Sequence, residues 1–285
     1  MLRTSRISFP GFGIGEFEIE SAAFSLGNFE IAWYAIIITL GMIAAVFHII
    51  HLAKQVGIIF DIVIDYVLIT VPIGVIGARL YYVFAEIESF HSLKEVFNIR
   101  SGGLAIYGGI LAGAVSVFVI SKVKKIPFLT FADCCTPGIL LAQGIGRWGN
   151  FTNGEAFGAE TEIFCRMGLN NALTSYKTVY VHPTFLYESL WNVFGFLIAH
   201  FFFKKRQYDG QVFLFIFAWY GLGRAFIEGL RADSLYGSIF GIEFRLSQVL
   251  AVIIFIACAS ALAYFAIRKP NKELYYYKTT NKEKK

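Results

Sequence analysis

The sequence is short of charge. Only 16% of its 285 residues are Asp, Glu, Lys or Arg, against roughly 25% in ordinary soluble domains. Hydrophobic residues make up 56% of the chain, and the mean hydropathy is +0.61. A soluble protein of this size cannot bury that much apolar surface, and disordered chains are poor in apolar residues. The composition therefore indicates an integral membrane protein.

Cysteine and aspartate are also scarce. The four cysteines include no Cys-x-x-Cys pair and no grouping with histidine at zinc spacing, so we expect neither a disulfide framework nor a metal site. Five aspartates are too few and too scattered for a metal-dependent phosphatidyltransferase. HExxH, GxSxG and P-loop motifs are absent from the sequence. The first 30 residues lack a basic segment followed by an apolar core, so we expect no signal peptide.

About seven apolar stretches approach or exceed the roughly 20 residues that a helix needs to cross the bilayer core. Lipid offers no partners to unpaired backbone groups, so all of them are predicted to be helices. Their apolar runs are continuous and not alternating, which excludes a barrel. We therefore predict an all-α, polytopic membrane protein with one integral membrane domain over residues 1–285. The predicted spans are Ile31–Ala53, Asp61–Phe84, Gly103–Ser121, Leu129–Arg147, Thr184–Phe203, Gln211–Leu230 and Leu246–Ile267.

The basic residues predict the orientation. With the N-terminus outside, the cytoplasmic segments hold about 14 of the 25 basic residues, as the positive-inside rule requires. The C-terminus is then cytoplasmic, and residues 268–285 form a basic tail. The net charge of +5 is accordingly a topology signal, and we expect no nucleic-acid partner. The longest polar loop, 149–183, would form a small extracytoplasmic head, because loops of this length are usually functional.

Charged residues within the spans predict a functional site, since such residues are costly in lipid. Arg147 and Arg224 each follow a glycine directly, and Arg79 lies two residues after one. In the predicted topology all three reach the outer half of the membrane, at the depth of Tyr34 and Tyr107. We interpret the neighbouring glycines as space for a ligand. Several guanidinium groups around one cavity would bind a phosphate, such as that of an anionic phospholipid.

Other interpretations stay open at this point. A lone arginine near the end of a span often extends to the lipid headgroups, and Tyr34 alone would be typical of the interfacial aromatic belt. Arg224 and Glu228 have the spacing of a simple i,i+4 ion pair. A lipid transporter or flippase would need polar residues through the midplane to the inner face. Because the polar residues stay on the outer side, the pattern favours an outer-leaflet enzyme.

The segment 146–158, Gly-Arg-Trp-Gly-Asn-Phe-Thr-Asn-Gly-Glu-Ala-Phe-Gly, resembles the signature of the prolipoprotein diacylglyceryl transferases. That signature contains Gly-Arg, Gly-Asn-Phe, Asn-x-Glu and a following Gly. Because further similar blocks occur in order along the chain, the resemblance is more specific than a lone motif. One departure concerns the position before Gly108-Gly109, which is commonly His in the family and is Tyr107 here. The further blocks are Trp33-Tyr34, Gly77-Ala78-Arg79, Gly102-Gly103-Leu104 with Gly108-Gly109, His182-Pro183-Thr184 with Leu186-Tyr187-Glu188, and Tyr220 through Arg231.

The resemblance implies transfer of a diacylglyceryl group from phosphatidylglycerol to the lipobox cysteine of preprolipoprotein signal peptides. The enzyme would lie in the bacterial cytoplasmic membrane, face the outer leaflet and need no cofactor. The implied catalytic residues are Arg147, Arg224, Tyr107 and Glu155, with the arginines stabilising the leaving phosphate. Tyr107 would either take the thiol proton or hydrogen-bond the phosphate while a phosphate oxygen takes that proton. The implied substrate-binding residues are Tyr34, Arg79, Asn150, Asn153, Gly158, His182, Tyr220, Glu228 and Arg231.

Overall fold

The computed structural model describes residues 4–27, 29–90, 92–98, 102–232, 236–239 and 242–268. The predicted basic tail lies almost wholly outside these residues. The chain divides into two compact units, and each is described by itself. Of the described residues, unit 1 comprises those within 4–48 and 135–268, and unit 2 comprises those within 49–134.

The described residues are mostly helical, and the long helices match the predicted apolar stretches. Six of them, all except α3 and α7, are long and apolar enough to cross a membrane, which confirms a multi-pass membrane protein. The helix at the remaining predicted span, α7, has 18 residues; the total of seven spans and their orientation stay predictions. The helices are α1 (Trp33–Gln55), α2 (Phe60–Ala85), α3 (Leu93–Phe97), α4 (Ile106–Val123), α5 (Phe128–Thr152), α6 (Thr184–Phe203), α7 (Gln211–Glu228) and α8 (Leu246–Arg268).

The all-α prediction was wrong, because eight strands are present in the described residues. They form one four-stranded and two two-stranded sheets. A search for long apolar runs misses strands this short, and one pairing, that of β1 with β5, joins segments distant in the chain. The strands are β1 (Thr4–Phe9), β2 (Ile14–Glu20), β3 (Ala22–Leu26), β4 (Phe29–Ala32), β5 (Met167–Asn170), β6 (Val179–Val181), β7 (Tyr236–Ile239) and β8 (Ile242–Arg245).

The four-stranded sheet of unit 1 joins the N-terminal segment to the long polar loop. Its order is β2-β1-β5-β6, with antiparallel neighbours. Ile7 of β1 lies opposite Leu169 of β5 and is buried with it. Phe185, at the start of α6, belongs to the same apolar cluster, and Phe151, near the end of α5, packs against it. The sheet therefore fixes the loop against the ends of α5 and α6.

The glycines beside the arginines pack helices together. In unit 2, a Cβ on Gly77 of α2 would lie 2.8 Å from the carbonyl oxygen of Gly108 in α4. In unit 1, a Cβ on Gly146 would lie 3.3 Å from Ile38 Cδ1, and one on Gly223 would overlap the Trp191 indole. Small residues let membrane helices approach closely. The interpretation of these glycines as space for a ligand was therefore wrong.

Candidate active site

Three arginines of unit 1 converge on one carboxylate, that of Glu188. Arg147 Nη2 lies 2.5 Å from Glu188 Oε2. Arg224 Nη1 lies 3.1 Å, and Arg231 Nη1 3.4 Å, from Glu188 Oε1. The Glu188 side chain is only 6% exposed. Because a buried carboxylate needs such partners, the cluster is a site built to hold an anion among guanidinium groups.

Separate helices supply the members of this cluster. Arg147 lies in α5, Glu188 in the first turns of α6, and Arg224 near the end of α7. Arg224 Nη2 also lies 2.6 Å from the buried Glu228 Oε2, which confirms the i,i+4 pair. Arg231 follows α7, where its backbone N–H donates to the Glu228 carbonyl at 3.2 Å. The cluster therefore forms only when the three helices pack.

The Asn-rich part of the signature forms a hydrogen-bonded network next to Arg147. The helix α5 continues to Thr152, five residues beyond the predicted end at Arg147, so Arg147 and Asn150 lie one turn apart. Arg147 Nη1 donates to Asn150 Oδ1 at 3.4 Å. The side-chain amides of Asn150 and Asn153 donate to Glu155 Oε1 at 3.3 Å and 3.0 Å. Glu155 thus orients the amides, and Asn150 in turn contacts the guanidinium.

Gly158 joins three segments of the site. Its N–H donates to the His182 carbonyl at 3.0 Å, and it forms an isolated antiparallel bridge with Arg231. A Cβ on Gly158 would lie 2.6 Å from His182 Cβ and 2.7 Å from the Leu230 carbonyl oxygen. In this structure Gly158 therefore sets the position of Arg231 by close backbone packing.

His182, Tyr34 and Tyr220 are the other predicted site residues in unit 1. The Nδ1 of His182 lies 3.3 Å from the Tyr187 hydroxyl, and burial lowers the pKa of its ring. Its imidazole is therefore neutral at pH 7. Tyr34 packs against Gly149, whose added Cβ would lie 2.7 Å from Tyr34 Cδ2. Tyr220 is close enough to Arg147 to interact with its charge.

An apolar cavity adjoins the charged cluster. It has a volume of about 250 Å³ and lies between the ends of α1, α5 and α6 in unit 1. Trp148 and Ser189, which follow Arg147 and Glu188 in the chain, line it and hydrogen-bond to each other at 3.1 Å. The other lining residues are Ile37, Leu40, Gly144, Ile145 and Val193. A charged cluster beside an apolar cavity suits an amphiphilic ligand.

Unit 2 holds the two remaining predicted residues, Arg79 and Tyr107. The Arg79 guanidinium is buried and donates to the carbonyl oxygens of Glu95, Val96, Gly102 and Gly103 at 2.6 to 3.0 Å. Arg79 thus organises the segment before α4, and its predicted role with substrate stays a prediction. Tyr107 lies in the first turn of α4 and is 43% exposed.

Comparisons with known proteins show the family of this chain. The family model described as prolipoprotein diacylglyceryl transferase matches residues 21–264. This chain belongs to the prolipoprotein diacylglyceryl transferase family. It is 39% identical to phosphatidylglycerol–prolipoprotein diacylglyceryl transferase of Enterococcus faecalis over 94% of this chain and 97% of the relative. It is 45% identical to transferase 1 of Clostridium perfringens over 75% of this chain and 84% of the relative. The Clostridioides difficile transferase is 40% identical, over 89% and 98%.

In this member of the prolipoprotein diacylglyceryl transferase family, the residue missing from the predicted site is Glu188. Its signal was present, since an acid within a span needs a partner and the Leu186-Tyr187-Glu188 block resembles the family. The sequence does not show that Arg147, Arg224 and Arg231 share this one carboxylate. Among the described residues, no three His, Cys, Asp or Glu side chains are placed to hold a metal ion.

Proposed function

We propose that this protein transfers the diacylglyceryl group of phosphatidylglycerol to the lipobox cysteine thiol of preprolipoproteins. The glycerol C–O bond to phosphate breaks, and a C–S thioether bond forms. Glycerol phosphate leaves with the bonding electrons, and the thiol proton passes to a base or to a phosphate oxygen. The phospholipid supplies its own leaving group, so the reaction needs no external energy source.

The observation that carries this proposal is the convergence of Arg147, Arg224 and Arg231 on Glu188. Negative charge grows on the phosphate as the C–O bond breaks. Fixed guanidinium groups in a water-poor site stabilise that charge strongly, and their planar forks match phosphate oxygens. The Arg147 side chain is 23% exposed, so a ligand can reach it without unfolding the cluster.

The surroundings of Arg147 support the same assignment. We assign Glu155 and Asn150 to positioning Arg147, because amide–carboxylate hydrogen bonds restrict their rotamers. The cavity beside Trp148 would receive part of an acyl chain of the same phospholipid, since burying each methylene contributes about 0.8 kcal/mol. Headgroup and chain would then bind on adjacent turns of α5 and α6.

We place this reaction at the outer leaflet of the bacterial cytoplasmic membrane. Support comes from the distribution of basic residues, which predicts a cytoplasmic C-terminus. In that orientation the end of α5 and the four-stranded sheet lie on the outer side. The sheet then forms the extracytoplasmic head, where exported lipoprotein precursors expose the lipobox.

Mass spectrometry of a lipobox peptide tests the function directly. Purified protein is incubated with the peptide and phosphatidylglycerol, and we expect the mass of one added diacylglyceryl group. A peptide with Ser in place of the lipobox Cys should stay unmodified. Vesicles of phosphatidylcholine, whose headgroup is zwitterionic, test headgroup selection. A Cys peptide that folded protein leaves unmodified would contradict the proposal and favour the transporter interpretation.

A further inference from the structure

Glu188 contacts the same guanidinium groups that an anionic ligand would contact. Its two oxygens accept contacts from Arg147, Arg224 and Arg231, at 2.5 to 3.4 Å. Glu228 adds a second carboxylate, 2.6 Å from Arg224 Nη2. A site meant only to bind anions as tightly as possible would gain nothing from two buried acids. Their presence limits how much negative charge the site accepts.

The charges of the cluster can be compared with those of substrate and product. Three guanidinium groups face two carboxylates, so these five ion-paired side chains carry a net charge of +1. Two further charged side chains lie at the edge of the cluster, and their charges cancel. They are Arg245, which donates to the Glu228 backbone carbonyl, and Glu155, which accepts from Asn150. His182 is neutral at pH 7, because burial lowers its pKa.

A phosphodiester headgroup has one negative charge and would neutralise such a site. A phosphomonoester carries a charge of about −1.5 to −2 at pH 7, because its second pKa is about 6. The released glycerol phosphate would therefore leave the site with excess negative charge, next to the buried Glu188 carboxylate. Burying that second charge without a partner is costly in a water-poor site, and Glu188 already takes up guanidinium contacts that would otherwise offset it.

We propose that Glu188 is a specificity-determining residue that makes the site accept phosphodiesters and reject phosphomonoesters. It holds the guanidinium groups in place for the lipid headgroup and weakens binding of the glycerol phosphate product. It also protects the site from free inorganic phosphate. This inference rests on the proposed function, because it assigns the product as the rejected ligand.

Binding to the wild-type protein provides the first test. The shift in melting temperature is titrated with glycerol phosphate and, in parallel, with glycerophosphoglycerol, a phosphodiester of similar size. Glycerol phosphate should bind at least roughly fivefold more weakly at about pH 7.5 than at about pH 5.5, as it gains its second charge. Glycerophosphoglycerol, which does not titrate in this range, corrects for titration of the protein itself. Equal pH dependence for both ligands would overturn the inference.

The second test removes the charge of Glu188 and keeps its shape. In Glu188→Gln, glycerol phosphate and inorganic phosphate should bind at least roughly tenfold more tightly at about pH 7.5, and product inhibition should rise in parallel. Glu188→Asp keeps the charge and should still reject phosphomonoesters. Glu160→Gln, an exposed position in the polar loop, is the matched control and should bind both ligands as the wild type does.

These outcomes separate the inference from the proposed function. If the wild type lipidates the peptide but Glu188→Gln binds glycerol phosphate no more tightly, the inference is wrong and the function stands. If Glu188→Gln does not fold, the wild-type comparison of the two ligands decides alone. A wild type that binds both ligands yet never modifies the peptide would contradict the proposed function only.

Discussion

Arg147 Nη2 and Glu188 Oε2 lie 2.5 Å apart and link α5 to α6 directly. Two strands of the four-stranded sheet, β5 and β6, lie between these helices in the chain, and the apolar cluster that contains Phe185 connects the sheet to the helix ends. Breaking a buried ion pair by removing one partner typically costs about 3–5 kcal/mol. The ion pair therefore stabilises the packing of α5 and α6 as well as placing Arg147 in the site. Tests of the site accordingly need conservative substitutions.

Arg147→Lys and Arg224→Lys should each lower turnover by about 10²-fold. Lysine keeps the charge but lacks the planar fork that contacts Glu188 or phosphate with two nitrogens. Lipidation of the peptide, followed by mass spectrometry, measures the loss. Arg166→Lys is the control, because Arg166 lies in the polar loop and donates to carbonyl oxygens of its own loop. Normal turnover in both site variants would mean that the planar guanidinium fork is not needed for catalysis.

Gly158→Ala should lower both thermal stability and activity. The added Cβ would meet His182 Cβ at 2.6 Å and the Leu230 carbonyl oxygen at 2.7 Å, so the segment that positions Arg231 must move. Overpacking of this kind typically costs about 1–3 kcal/mol. The melting temperature and turnover are compared with Gly15→Ala, whose added Cβ meets no atom within 4 Å. Equal behaviour of the two variants would contradict this role for Gly158.

Tyr107→Phe tests the departure from the family pattern. If the phenol removes the thiol proton, turnover should fall by roughly 10²-fold or more, and the alkaline limb of the pH–rate profile should vanish. If it only hydrogen-bonds the phosphate, the loss should be smaller and the profile should keep its shape. Tyr107→His should stay active in both cases. A fully active Tyr107→Phe would assign Tyr107 to the interfacial aromatic belt.

Val193→Trp should fill the apolar cavity beside the cluster. We expect KM for long-chain phosphatidylglycerol to rise about tenfold, since several methylenes lose burial at about 0.8 kcal/mol each. KM for a short-chain phosphatidylglycerol should change little. Leu197→Trp, on the same helix and 43% exposed, is the control. An increase that is independent of chain length would exclude an acyl chain as the occupant.

Cysteine labelling tests the orientation. In a background with Cys165→Ser, a cysteine at Glu160 should react with an impermeant maleimide in intact cells. A cysteine at Tyr275, which lies outside the described residues, should react only after the cells are opened. The positive-inside bias is the reason for this expectation. Labelling at the second position in intact cells would move the arginine cluster to the inner leaflet.

The helices were predictable because each is a local property of the chain. Apolar length alone places the helix Thr184–Phe203 at the bounds found in the structure. The end of α5 was harder to predict from the sequence. The Gly-Asn-rich signature is typical of a turn, and yet it stays helical to Thr152. The sheet could not be predicted from local pattern, because Arg6 of β1 pairs with Asn170 of β5, far along the chain.

By itself, the sequence determined the membrane class, the family and the identity of the arginines, because composition, apolar length and motif order are readable residue by residue. Tertiary structure decided which charges meet. Arg147, Glu188 and Arg224 come from three different helices, and their convergence depends on packing at glycines such as Gly223. Buried ion pairs form only where packing brings the helix ends side by side, and that packing depends on contacts between residues distant in the chain.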